Sequence, residues 1–298
     1  MSVQHKRRFA EVLFLFIFLI LLEAQPLWAE TLPLPREGEP WLYAQDLSFQ
    51  PDDELNLRCL GQSYPEIQGL ERRSDGLWLV LVGGLRVLYA GERVGRDYYD
   101  VDVRTSMAQP YVCEPERPET PAGYAPGRRR SYDLLHALYG HNAASVARSL
   151  QHVRALGQNW TFAPKAAEAF RRAAMVLEGK VAVHPELRPW LKSSGTFSWR
   201  RIAGQTVLSA HSFGIAFDIG VGRGATYWRW SALTRHPLQQ TFSPDIVLAF
   251  EDEGFIWGGK WHEFDLMHFE YRPELICKAK RRHSQQTPRP ASVPQARW

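Results

Sequence analysis

Hydrophobic patterning divides the chain near residue 130. "LWLVLVGGLRVLYAG", Leu77 to Gly91, is an apolar run interrupted by Gly83-Gly84. It predicts two short strands joined by a tight turn, since adjacent glycines accept the backbone angles a hairpin needs. From Ser131 the spacing becomes helical: Leu134, Leu135, Leu138 and Tyr139 recur at helical intervals, Gly140 ends the helix, and Asn142 can cap the next. Pro164 to Glu178 predicts another helix, with Phe170, Ala174 and Leu177 on one face and Gly179 as its stop. "SPDIVLAFEDEG" predicts a third, with Ser243 at the N-cap, Pro244 in the first turn and Gly254 after the end. "FIWGG" follows as a short strand. Helices mixed with short strands, without a βαβ repeat, predict an α+β fold.

The flanks read differently. Lys6, Arg7 and Arg8 precede an apolar stretch from Val12 to Leu22, and Leu27-Trp28-Ala29 offers a small-residue exit. Residues 1–29 are therefore expected to be a cleaved signal peptide, with an uncleaved anchor as the alternative, because the apolar run is short of the roughly 20 residues a membrane span wants. Contact with a membrane is expected only through that segment, and the mature protein is expected in the periplasm or outside the cell. Residues 30–115 form a β-rich region of unassigned role. "EPERPETPAGYAPGRRR" is rich in Pro, Gly and charge, which predicts a linker over 116–130 before a domain at 131–277. No acid follows Glu274, so 278–298 is expected to be a basic, disordered tail.

The 298-residue chain is 45% hydrophobic and 23% charged, enough for a packed core. Its formal net charge of +4 is modest, and no nucleic-acid partner is expected. Of the three cysteines, Cys59 and Cys113 could pair in an oxidising compartment, leaving Cys277 alone.

The chemistry concentrates in two stretches. In "SAHSFGIAFDIG", His211 and Asp218 are seven residues apart, so on one straight strand they would point to opposite faces. A bend at Gly214 removes the conflict and lets both converge, with Ala216 leaving room beside them. In "WHEFDLMHFEY", Asp265 stands three residues before His268 and Glu270 two after it. Imidazole and carboxylate donors suit a borderline divalent metal such as zinc, which in catalytic sites keeps three protein ligands and one open position. His211, Asp218 and His268 are candidate ligands, with His262 and Glu263 competing in the second stretch. Asp265 is placed to act as general base and acid, and on a strand Glu270 would support His268 from behind. Trp257 and Trp261 are candidate cleft walls, and "YWRW", Tyr227 to Trp230, a candidate cleft loop.

Ser209 to Asp218 matches the SxHxxGxAxD pattern, and "DLMHFE" supplies an acidic residue before the His of an "HFE" run about fifty residues later. In both elements the chain resembles the D-alanyl-D-alanine metallopeptidase family, which includes carboxypeptidases, dipeptidases and endolysin-type cell-wall peptidases. The similarity extends over roughly residues 130–277. It implies the small antiparallel sheet with flanking helices shared with the Hedgehog signalling domain. It also implies zinc on His211, Asp218 and His268, with Asp265 as base. Ser209 would hold the substrate or the metal loop, Trp261 would line the cleft, and Arg200, or failing that Arg201, would face the substrate. The implied substrate is a peptidoglycan stem peptide, cut as a D-alanyl-D-alanine carboxypeptidase or an L-Ala–D-Glu endopeptidase would cut it. A non-catalytic zinc-containing wall-binding or signalling module of the same fold is the alternative.

Overall fold

The computed structural model describes residues 31–38, 41, 49–91 and 99–286. The expected signal peptide and the last twelve positions lie outside the described residues. Among the described residues no helix is long and apolar enough to cross a membrane.

The chain builds two antiparallel four-stranded sheets, each with its own core, which confirms the α+β class. The first sheet runs β1 (Thr31–Leu32), β2 (Ile67–Arg73), β3 (Gly76–Leu81) and β4 (Arg86–Gly91), with α1 (Asp53–Ser63) between β1 and β2. The expected hairpin is present: β3 and β4 pair around a turn at Val82–Gly84, where Gly83 has φ 81°. Leu77, Leu79 and Leu81 alternate into the core, as one buried face requires.

The second half opens with α2 (Tyr132–Tyr139) and α3 (Ala143–Ser149), capped by Ser131 and Asn142 through side-chain bonds to backbone N–H groups. A hairpin of β5 (Gln151–Ala155) and β6 (Gln158–Phe162) leads into α4 (Pro164–Val183). This helix runs through Gly179 instead of stopping there. A helical glycine costs only about 1 kcal/mol, and the extra turn buries Val181. The second sheet has the order β7-β8-β10-β9, from β7 (Ser193–Gly195), β8 (Ala216–Ile219), β9 (Phe255–Trp257) and β10 (His268–Tyr271). Helix α5 (Pro244–Asp252) precedes β9, and Gly254 follows it at φ 92°. Ser243 takes its expected position, although its side chain makes no capping bond.

One face of this sheet is aromatic. Phe217 and Phe269 lie opposite each other in register and stack at 5.2 Å, packed against Phe170 of α4 and Phe250 of α5. The strand period of two then sends Asp218 and His268, also opposite each other, to the other face.

Three further expectations are corrected. The end of the expected linker at 116–130 is part of the fold, because residues 125–128 and Arg130 are buried and Val101 N–H donates to the Arg130 carbonyl at 3.0 Å, while most of 116–123 is exposed. The basic tail begins as helix α6 (Pro273–Gln286) docked on α1. Lys278 is buried, donating to the Met107 carbonyl at 2.8 Å, and Lys280 pairs with Asp252 and Arg281 with Glu37. The balancing acids lie far away in sequence, so local composition hid them. Finally, Cys59 of α1 bonds Cys277 of α6 across 218 residues, and Cys113 is the free thiol.

Because it closes so long a loop, the Cys59–Cys277 bond is expected to contribute about 2–5 kcal/mol. Urea unfolding of Cys59→Ser should show that loss, and peptide mapping of the oxidised protein should find Cys113 alone alkylated.

Candidate metal centre and cleft

Three side chains converge where the sheet meets the loop before β8. The chain enters from a 3-10 turn at Ala210–Phe213, and Ser209 receives the His211 N–H at 3.4 Å. Gly214 then takes φ +66°, and a Cβ there would lie 2.5 Å from Leu150 and 2.9 Å from the Ala163 nitrogen. Only glycine accepts both the left-handed backbone and the crowding. The bend carries His211 back over the strand, so that its Nε2 lies 3.2 Å from Asp218 Oδ1, and His268 Nδ1 reaches the same oxygen at 3.2 Å.

One potential ligand atom from each of His211, Asp218 and His268 lies within 4.8 Å of the other two. His262 and Glu263 are not in this group. Two imidazoles and one carboxylate, nearly removed from water, form a donor set that fits a divalent cation and could hold one.

Each donor is oriented from behind, as metal-binding histidines usually are. His211 Nδ1 meets the Thr196 carbonyl at 2.6 Å, which makes Nδ1 the donor and frees Nε2. His268 Nε2 lies 3.4 Å from Glu270 Oε2, which frees Nδ1 toward Asp218. Glu270 is fully buried, held by Arg130 through both carboxylate oxygens and by Arg272 at 3.5 Å. Burial alone would raise the Glu270 carboxyl, but the Arg130 guanidinium and the His268 bond hold it well below the usual range. Asp218 is likewise held far below its usual value, burial being outweighed by the two imidazoles. Burial lowers the His268 imidazole, but Asp218 and Glu270 outweigh it and raise the group to about 9.

The cleft over the three donors also brings together Asp265, Ser209, Arg200 and Trp261. Asp265 stands on a loop tied down by its N–H to the Gly258 carbonyl at 2.9 Å and its carbonyl to the His268 N–H at 3.1 Å. Burial raises its carboxyl above the usual value, against the pull of His268 and Arg128. Arg200 borders the cleft and Arg201 does not. The Arg200 backbone is pinned by Ser212, whose hydroxyl receives its N–H at 3.0 Å. Trp261 lines the cleft at 1% exposure, whereas Trp257 is a core residue whose Nε1 donates to the Leu266 carbonyl at 2.9 Å. In "YWRW", Tyr227 and Trp230 border the cleft, and Tyr227 bridges to Asp265.

Arg128, Arg130 and Ser212 were not singled out by their sequence context. The "RRR" run ahead of the capping Ser131 was the available signal, but a charge run is indistinguishable from a solvated one until its partners are known.

Residues 203–271 match the family described as D-alanyl-D-alanine carboxypeptidase. Over that segment the match supports the D-alanyl-D-alanine metallopeptidase family. It spans the bend at Gly214, β8, α5 and β10, and thus all three donors and Asp265. The match supports a peptidase that acts on D-Ala-D-Ala-type cell-wall substrates. No curated protein and no solved structure matches the chain.

Glu270→Gln should cost about 3–5 kcal/mol at neutral pH, because it leaves Arg130 as an uncompensated buried charge. The depressed Glu270 carboxyl stabilises the fold fully above its ordinary value of 4.5, and that contribution is lost as pH falls through the lower folded value. Urea unfolding should therefore show the gap between variant and parent narrowing in acid. Metal affinity should fall about 10- to 100-fold in the same variant.

Proposed function

We propose that the protein is an exported zinc peptidase that hydrolyses peptidoglycan stem peptides next to a D-amino acid. The observation that carries this reading is the placement of Asp265 beside three convergent metal donors in one cleft. The donor set of His211, Asp218 and His268 fits zinc, which leaves a coordination position open when three protein groups bind it. When bound, zinc supplies Lewis acidity to the attacking water and the scissile carbonyl.

The chain's own residues do the rest. Asp265 takes the proton from the attacking water and delivers it to the leaving amine, a role favoured by burial that raises its carboxyl. Arg200, at the edge of the cleft, supplies positive charge for the carbonyl oxygen as it becomes anionic. Glu270, Arg130 and the Thr196 carbonyl keep the imidazoles aimed through the reaction. Ser209 holds the loop carrying His211, and Trp261 walls the cleft.

Two kinds of cut fit this arrangement, a D-alanyl-D-alanine carboxypeptidase cut and an L-Ala–D-Glu endopeptidase cut. The export signal read in residues 1–29 supports a periplasmic or extracellular site of action, where stem peptides are found. The non-catalytic module is disfavoured because it would have no use for an acid held in the cleft beside the donors.

Purified peptidoglycan digested by the mature protein, with and without a chelator, should yield new ends that mass spectrometry identifies, and the chelator should abolish them. Asp265→Ala should lower hydrolysis by about 10²- to 10⁴-fold while still binding zinc. Full activity in that variant would sink the assignment.

A further inference from the structure

Arg128 enters the cleft from outside the residues that match the family. It lies in the stretch whose composition resembles a linker, yet it is only 4% exposed. Its approach depends on Gly127: a Cβ at that position would come within 2.3 Å of the Trp261 ring. The His262 N–H to Tyr124 carbonyl bond, 2.7 Å, secures the same stretch to the loop bearing Asp265. The guanidinium carbon then sits 5.1 Å from the centre of the Tyr227 ring and 5.1 Å from that of Trp261. Two aromatic contacts orient the planar group without consuming its donors.

Its polar partners are incomplete. Nη2 donates to the Glu263 carbonyl at 2.9 Å. Among the described residues its carboxylate neighbours are Glu263, 3.7 Å from Nε, and Asp265, 3.9 Å from Nη2, both beyond hydrogen-bonding distance. Nε is buried with no hydrogen bond among the described residues. Arg130, the other buried guanidinium bordering the cleft, is already neutralised by Glu270. A buried arginine whose ion pairs are both too long for hydrogen bonds, and whose Nε has no acceptor, keeps donor capacity that a further anion can take up.

We propose that Arg128 is the carboxylate anchor of the cleft, and that the substrate carries a free carboxylate on the residue that departs. This rests on the peptidase reading and narrows its substrate. A guanidinium fork matches a carboxylate in two parallel bonds, and a neutral amide cannot replace it in both. A carboxylate seated on Arg128 also leaves Asp265 unpaired and able to move a proton. Both cuts named above satisfy the rule: a terminal D-alanine has a free carboxylate, and so does a γ-linked D-glutamate at its α-carbon. The N-terminal half of the protein thereby supplies a specificity residue to the peptidase.

The test compares each peptide with its amide: an acylated L-Lys-D-Ala-D-Ala against its C-terminal amide, and L-Ala-D-Glu with its γ-carboxyl blocked as an amide against the same peptide amidated at the α-carboxyl as well. Hydrolysis by the zinc-loaded full chain gives kcat and KM. Calorimetry on the zinc-loaded Asp265→Asn protein reads binding without turnover. The parent should favour the acid over the amide by roughly 10- to 100-fold in KM and in Kd. In Arg128→Gln, checked for folding by its thermal transition, that preference should collapse, with the acid losing far more than the amide; Arg128→Lys should keep part of it. Equal losses for acid and amide would mean that Arg128 positions Asp265 instead, and would overturn the proposal. So would a parent protein with no acid preference, a result that needs no variant to fold. If the parent neither cleaves nor binds any of the four peptides, the peptidase reading itself fails and the anchor falls with it.

Discussion

The pairing of β8 with β10 is the constraint on which the rest of the site depends. Asp218 and His268 are fifty residues apart in sequence but face each other in register. Opposite residues in an antiparallel pair have Cβ atoms about 4.5–5.5 Å apart, close enough for one ion to bridge the two side chains. A slip of β10 by one residue against β8 would turn His268 into the aromatic core and bring Phe269 to the cleft, away from Asp218. The stacked phenylalanines on the buried face make that slip prohibitive, so the hydrophobic core sets the geometry of the donors on the opposite side of the sheet.

Buried charge connects this pairing to the remainder of the molecule. His268 meets Glu270, Glu270 meets Arg130 and Arg272, Arg272 donates to Glu274 at 2.5 Å, and Glu274 receives the Tyr64 hydroxyl at 2.7 Å. The chain of contacts begins at a metal donor and ends beside the first sheet. Such a network is stable only when every charge has its partner. The N-terminal half therefore bears on the orientation of the donors as well as on the cleft wall. The Cys59–Cys277 bond between α1 and α6 closes the same assembly covalently.

The parts legible in sequence were those governed by local rules. Ser131 and Asn142 cap helices because their side chains reach N–H groups three residues on, and the Gly83-Gly84 hairpin depends on backbone freedom alone. The bend at Gly214 was readable because His211 and Asp218 could not otherwise share a face. The errors arose where a residue's partner is remote. Cys59 chose Cys277 over Cys113, Lys278 was buried by packing, and helix α4 overran Gly179 because tertiary contacts outweighed a small local cost.

By itself, the sequence determined the α+β class, the bend that joins His211 to Asp218, and the candidacy of Asp265 and His268, each resting on spacing of ten residues or fewer or on a motif. Only the tertiary structure decided that Arg128 and Arg130 enter the cleft, that Arg200 borders it while Arg201 does not, and that His262 and Glu263 stand aside. Those outcomes depend on which buried charge meets which partner across a hundred residues or more, and on register between strands far apart. Desolvation makes such pairings obligatory in the folded protein, but no local pattern of residues records them.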